Sequence, residues 1–144
     1  MQDKAETVKY DIISIDAFTG DGIPAHLMTR EAIEIYLHRL VGDGLILFHI
    51  SNRYYDLHPV LEAASRELKL YGCFNRPLGR THLKSYQVSP RCIVMARDEK
   101  NLQPLLNRGW LMFNNDNRLD KMAPWTDDYI NILAPLIEHI RAKS

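Results

Sequence analysis

The strongest constraint on this chain is the alternation of short, β-branched apolar runs with segments of helical period. Residues 10–16 (YDIISID) form a strand-like run that enters the Gly/Pro-punctuated stretch FTGDGIP. Thr29 is placed to cap a helix, Glu31 falls in its first turn, and Ile33, Tyr36, Leu37 and Leu40 keep i, i+3, i+4, i+7 spacing. This helix is expected to stop at Gly42, with GDG at 42–44 as a turn into a second strand over 45–50 (LILFHI). The pattern then repeats. Asp56 can cap a helix carrying Leu57, Val60, Leu61, Ala64 and Leu68 on one face, and Pro59 is tolerated in its first turn. A weaker third strand over 70–74 and a fourth over 92–96 (CIVMA) follow, then a short helix near 101–106. Residues 76–90 and the segment NNDNRLDKMAPW read as loops. Thr126 is expected to cap a last amphipathic helix. Asp127 and Asp128 would stand near its N-terminal dipole, and Tyr129, Ile132, Leu133, Leu136, Ile137 and Ile140 would form its apolar face.

Strand, helix, strand, helix and strand at this spacing predict right-handed βαβ units. The fold class expected is therefore α/β, a partial doubly wound, Rossmann-like and mostly parallel sheet with helices on both faces. No helical signal separates the third strand from the fourth, so that pair should be an antiparallel hairpin at one edge. Residues 1–9 are polar and without period, a frayed start, and residues 10–144 read as one domain. In such sheets ligands bind beyond the carboxyl ends of the strands. Two segments are singled out on that ground, 16–22 (DAFTGDG) and Ser51-Asn52-Arg53.

Composition narrows the function. The chain has 144 residues, the size of one ordinary domain, with 46% apolar and 25% charged side chains. Lys plus Arg and Asp plus Glu both number 18, so there is no basic excess and a dedicated nucleic-acid binder is not expected. No apolar run approaches the roughly 18 residues of a membrane span, and MQDKAETVK is too polar for a signal peptide, which makes the cytoplasm the expected location. Cys73 and Cys92 lack CxxC pairing and read as free core thiols.

Asp16 is the most informative single residue, a carboxylate ending an apolar strand with Asp21 five residues on. An ionised carboxylate is costly to bury unpaired, so Asp16 should face a cleft or a donor. Two roles fit: a site residue, or a structural aspartate accepting from the amides of Phe18 or Thr19. None of the six histidines shows metal-ligand spacing, and His49, inside an apolar strand, reads as a satisfied core residue. Ser51 lies in HISNR rather than in a GxSxG elbow, which disfavours a hydrolase nucleophile, although its hydroxyl and the Asn52 amide can line a cleft. Arg80, Lys84 and Arg91 form a modest basic zone, read as a solvated face.

The stretch YDIISIDAFTGDGIPAHLMTREAIEIYLHRLVGDGLILFHISNRYYDL, together with WTDDY near residue 129, resembles the spermidine synthase family. The likeness rests on a strand ending in aspartate, a Gly/Pro-containing loop, a helix opening on TRE and a strand closing on HISN, in matching order and spacing. It spans about residues 10–129 and is thinnest through 76–110. It implies the C-terminal half of a methyltransferase-like domain, with family chemistry of aminopropyl transfer from decarboxylated S-adenosylmethionine to a diamine. Asp16 would act as the base, with Asp21, Ser51, Asn52, Tyr54 and Asp128 on the amine side and Ala17 and Phe18 beside the nucleoside. In the family the loop carries two aspartates three residues apart. Here the next carboxylate after Asp16 is Asp21, a departure that bears on diamine choice.

The chemistry explains the need for such a residue. An alkylamine with a pKa near about 10 is protonated at neutral pH, so a carboxylate must hold the cation and then accept its proton. The family's glycine-rich nucleoside loop and the acidic residue that follows it have no counterpart in these residues. The resemblance therefore implies a chain that is inactive alone or needs a partner, with decarboxylated S-adenosylmethionine or S-adenosylmethionine as a loosely held co-substrate and a polyamine or nucleoside as ligand. It also implies an open strand edge covered by a second copy, as a homodimer, or by a partner chain. Two other readings stand beside it: a methyltransferase of the same fold, and a non-catalytic oligomeric interaction module.

Overall fold

The computed structural model describes residues 8–16, 24–51, 55–75, 90–113 and 122–131. In chain order the elements are β1 (Tyr10–Ile15), a 3-10 turn (Ala25–Leu27), α1 (Arg30–Arg39), β2 (Leu40–His49), α2 (His58–Glu67), β3 (Tyr71–Phe74), β4 (Cys92–Ala96), a 3-10 turn (Glu99–Leu102) running into α3 (Gln103–Leu106), and β5 (Leu111–Met112). The strands form a five-stranded sheet of order β1-β2-β4-β3-β5.

The fold is mixed α/β, but the sheet is not mostly parallel. Of the four pairings only β1–β2 is parallel; β2–β4, β4–β3 and β3–β5 are antiparallel. The antiparallel β3–β4 pair exists as expected but is not at the edge. β4 is inserted between β2 and β3, and β5 extends the sheet beyond β3. Because β4 opposes both neighbours, β1, β2 and β3 still run the same way, as two helical crossovers require.

Alternation along the strands sorts the core into two layers. Ile46, Phe48 and Ile50 from β2 and its end, with Ile93 and Met95 from β4, pack under α1 and α2 through Ile33, Val60, Leu61 and Ala64; Trp125 joins this layer. Leu45, Leu47, Val94, Ala96 and Cys73 face the other way, against Leu102, Leu105 and Leu106. Helical structure thus covers both faces. Burying side chains of this size contributes about 1.5–3 kcal/mol each, which makes the β2–β4 centre the rigid part of the sheet.

The expected Thr29 cap is present: its Oγ1 accepts the Ala32 N–H at 3.2 Å. At the far end α1 stops at Arg39, earlier than the Gly42 expected, and β2 begins at once. The GDG at 42–44 is not a turn but part of that strand. The β1–β2 register shows why. Between Tyr10↔Leu40 and Ile12↔Leu45, β1 advances two residues while β2 advances five, so the glycine stretch takes up an irregularity in the ladder. Gly44 sits where a Cβ would lie 2.9 Å from the Asp11 carbonyl oxygen and 2.5 Å from Leu40 Cγ, a close approach only glycine allows. The Arg97 guanidinium closes this corner, donating to the Leu37 carbonyl at the end of α1 and to Val41 O at 2.8 Å.

α2 keeps Pro59 in its first turn; Leu57 occupies the cap position while Asp56 Oδ1 accepts the His58 N–H at 3.2 Å. Residues 126–129 are not the start of a helix. Thr126 and Tyr129 exchange N–H···O bonds of 2.9 and 3.1 Å, closing a turn. That turn docks on the N-terminus of α1: the Arg30 N–H donates to Trp125 O at 2.7 Å, Thr29 Oγ1 to Asp127 Oδ1 at 2.8 Å, and the Asp127 N–H to Glu31 Oε2 at 3.0 Å. The apolar positions 132–140, and residues 76–89 and 114–121, expected as loops and including Arg80 and Lys84, lie outside the described residues. No helix among the described residues is long and apolar enough to cross a membrane.

Candidate functional site

β1 and β2 run parallel in register Ile15↔Phe48, so the residues one step further, Asp16 and His49, come side by side at the carboxyl end of the sheet. Period-2 alternation sends Phe48 and Ile50 into the helix-covered core and turns His49 to the opposite face. There His49 Nδ1 lies 2.9 Å from Asp16 Oδ1, and its Nε2 lies 2.8 Å from Ser51 Oγ. The expectation of a core histidine is thus corrected. One third of its side chain is exposed, and its ring joins the two residues already singled out as site candidates.

The frame around this chain of contacts is tightly bonded. The Arg91 N–H donates to Ser51 Oγ at 2.8 Å, and the Ile50 N–H returns a bond to Arg91 O, also at 2.8 Å. Arg91 Nη2 reaches Asp56 Oδ1 at 3.1 Å, so this arginine is an anchor rather than part of a loose basic face. On the far side Asn75 accepts the Cys92 N–H and donates to Pro90 O, both at 2.7 Å. Backbone and side-chain bonds therefore fix Ser51 Oγ from the β4 side while His49 meets it from the β2 side.

An ionised carboxylate can only accept hydrogen bonds, so its contact with His49 requires the ring proton on Nδ1 when the imidazole is neutral. Nε2 is then an acceptor, and the Ser51 hydroxyl donates to it while accepting from Arg91. The Asp16 side chain is two-thirds exposed. Its charge is felt nearby. The thiol of Cys92, directly across the ladder from His49, is pushed up by burial and further by Asp16.

Of the expected site residues, the structure brings together Asp16 and Ser51, with His49 between them. Asp128 stands exposed in the turn at 126–129, and no hydrogen bond or ion pair joins it to Asp16 among the described residues. Asp21, Asn52, Tyr54, Ala17 and Phe18 lie outside the described residues. Sequence reasoning missed His49 because a lone histidine in an apolar strand resembles core. The signal that could have found it was the adjacency of two parallel strands ending in D and H-x-S.

No cluster of three or more His, Cys, Asp or Glu side chains is placed to hold a metal among the described residues. Nor do they form a glycine cradle for a nucleoside: Gly42 and Gly44 lie within β2, Gly72 within β3 and Gly109 in a turn with φ 87°. A cavity of about 310 Å3 opens between Glu62, Arg66, Tyr71 and Phe113. It lies at the opposite end of the sheet, where β3 begins, and is remote from Asp16. Comparison with protein-family models finds no match, and comparison with curated proteins finds none either.

Proposed function

We propose that this chain is the amine-handling half of a spermidine synthase-like alkyl transferase. Asp16 holds the acceptor's ammonium group, beside Ser51 and His49, at the carboxyl end of the parallel strands. The observation that carries the reading is the Asp16 carboxylate itself: anchored through one oxygen by His49, two-thirds exposed as a side chain, and standing where open α/β sheets take their ligands. The carboxylate supplies the charge and directional acceptor an ammonium needs. The sulfonium co-substrate, decarboxylated S-adenosylmethionine in the family, would be gripped by residues outside these 144, since they contain no GxGxxG-like loop.

The test is calorimetric titration with putrescine and with propylamine, on the wild-type chain and on Asp16→Asn. The proposal expects binding of the diamine that the Asn variant loses while keeping its fold. Equal heats from both proteins, or none from a folded wild type, would remove Asp16 as the amine's partner.

A specific observation also favours an oligomeric module. Among the described residues β1 ends the sheet, and Val8, Tyr10 and Ile12 are half exposed or more. An apolar strand with a free edge invites pairing. In this proposal a second copy or a partner chain covers it, and sedimentation equilibrium that stays monomeric at high concentration would count against it.

A further inference from the structure

The amine-handling reading gives Asp16 a thermodynamic difficulty. A model alkylammonium titrates near about 10.4, a model aspartate near about 3.9 and a model imidazole near about 6.5. Between model groups, imidazole is a better proton acceptor than carboxylate by about 2.6 pKa units, a factor of roughly 400 in the transfer equilibrium. Among the described residues one imidazole, His49, stands in this site, and its bonding pattern gives it a route to the ligand. With Nδ1–H directed at Asp16, the lone pair of Nε2 receives the Ser51 hydroxyl proton. Ser51 Oγ spends one acceptor position on the Arg91 N–H and has a second for an incoming donor. A hydroxyl needed only to hold the Arg91 amide would be satisfied by that single bond. Here it is seated on a ring nitrogen as well.

We propose that the proton acceptor of this site is Nε2 of His49, reached through the Ser51 hydroxyl, and that Asp16 is a positioning residue for the ring as well as the holder of the amine. This rests on the amine reading above. In the step, a diamine held at Asp16 by one ammonium gives a proton from its other ammonium to Ser51 Oγ, on the far side of the His49 ring, as the Ser51 hydroxyl proton passes to Nε2. The products are a neutral amine, whose lone pair is free to attack, and an imidazolium. The imidazolium is then paired with the Asp16 carboxylate 2.9 Å from Nδ1, which stabilises the charge it has gained.

Nitrogen-15 NMR of histidine-labelled protein at pH 9, where imidazoles are neutral, tests the arrangement directly. The proposal expects His49 as the Nδ1–H tautomer in the wild type and a loss of that preference in Asp16→Asn, whose amide can donate or accept. An Nε2–H tautomer in the wild type overturns the relay, because Ser51 would then only accept and Nε2 would have no lone pair. Reaction with diisopropyl fluorophosphate reads out the same path. Ser51 Oγ forms the P–O bond, fluoride leaves, and the hydroxyl proton goes to Nε2. Labelling should fall at least about 100-fold in His49→Gln, the lower range for a lost general base. Equal labelling in the two proteins, or no Ser51 labelling in the wild type, overturns the proposal. If His49→Gln does not fold, the wild-type tautomer decides alone. Failure of the amine reading is distinguishable. Putrescine binding with an Nε2–H ring sinks the relay only, whereas an Nδ1–H ring without putrescine binding sinks the amine assignment and leaves the hydroxyl–imidazole chain standing.

Discussion

Thr29 ties the two ends of the described fold together, and Thr29→Val should show how much that tie is worth. The side chain is fully buried, caps α1 through the Ala32 N–H at 3.2 Å, and donates to Asp127 Oδ1 at 2.8 Å. Valine keeps the shape and removes both bonds, along with a long third contact to the His26 carbonyl at 3.4 Å. The lost cap costs about 1 kcal/mol. The lost bond to Asp127 adds less than a fully buried one would, since that carboxylate is exposed and can turn to water, so about 0.5–1 kcal/mol is expected. The sum is about 1.5–2 kcal/mol, or roughly 3–8 °C in Tm for a domain of this size. Thr29→Ser is the control. It keeps both bonds and loses one buried methyl, worth about 0.8 kcal/mol. Urea unfolding of the three proteins compares them at constant m. A valine variant no less stable than the serine variant would refute the claim that hydrogen bonding at the α1 N-terminus holds the 122–131 segment in place.

The Glu31 carboxyl is held below the usual carboxylate range, chiefly by its own backbone N–H; burial opposes this as the next largest effect, and the Asp127 N–H and the Arg30 guanidinium lower it further. A lowered folded value means its contribution is present above the normal carboxylate range and lost as pH falls through the lowered value. Glu31→Gln should therefore flatten the acid limb of a pH–stability curve, and an unchanged limb would exclude Glu31 from it. Gly44→Ala should destabilise by about 1–3 kcal/mol, because its methyl meets the Asp11 carbonyl across the β1–β2 ladder; a neutral effect would mean that the close approach is absent. Burial pushes the Cys73 thiol up to about 11, so at pH 8 a disulfide reagent should modify the half-buried Cys92 first. Asp16→Asn should speed the Cys92 reaction by removing the charge that raises its thiol, and an unchanged rate would contradict that proximity.

Much of the frame was legible because local chemistry and tertiary role agree there. The β-branched runs at 10–15 and 92–96 became strands, Thr29 became a cap, and Leu102, Leu105 and Leu106 became the short helical cover of the second face. Legibility failed where a local signal was overridden by a partner far along the chain. Gly42-Asp43-Gly44 carries every mark of a turn, yet the β1 backbone approaching at Asp11 makes extended glycine the better solution. Thr126-Asp127-Asp128 looks like a helix start, yet the carboxylate and N–H of Asp127 are used by Thr29 and Glu31 at the N-terminus of α1. The order β2-β4-β3 could not be read at all, since strand insertion leaves no mark on residues 92–96 themselves. The candidate site divides the same way. Asp16 announced itself as a carboxylate ending an apolar strand, whereas His49 became visible only once β1 and β2 were placed side by side.

The most direct test of the central claim, that the Asp16–His49–Ser51 corner takes an amine, is an amide and side-chain NMR titration of the chain with putrescine. The account predicts that the largest shifts fall on Asp16, the His49 ring, Ser51 and the Arg91 amide, and that Asp16→Asn abolishes them. Shifts centred instead on the Glu62 and Tyr71 end of the sheet, or a wild-type spectrum that putrescine leaves unchanged, would contradict it.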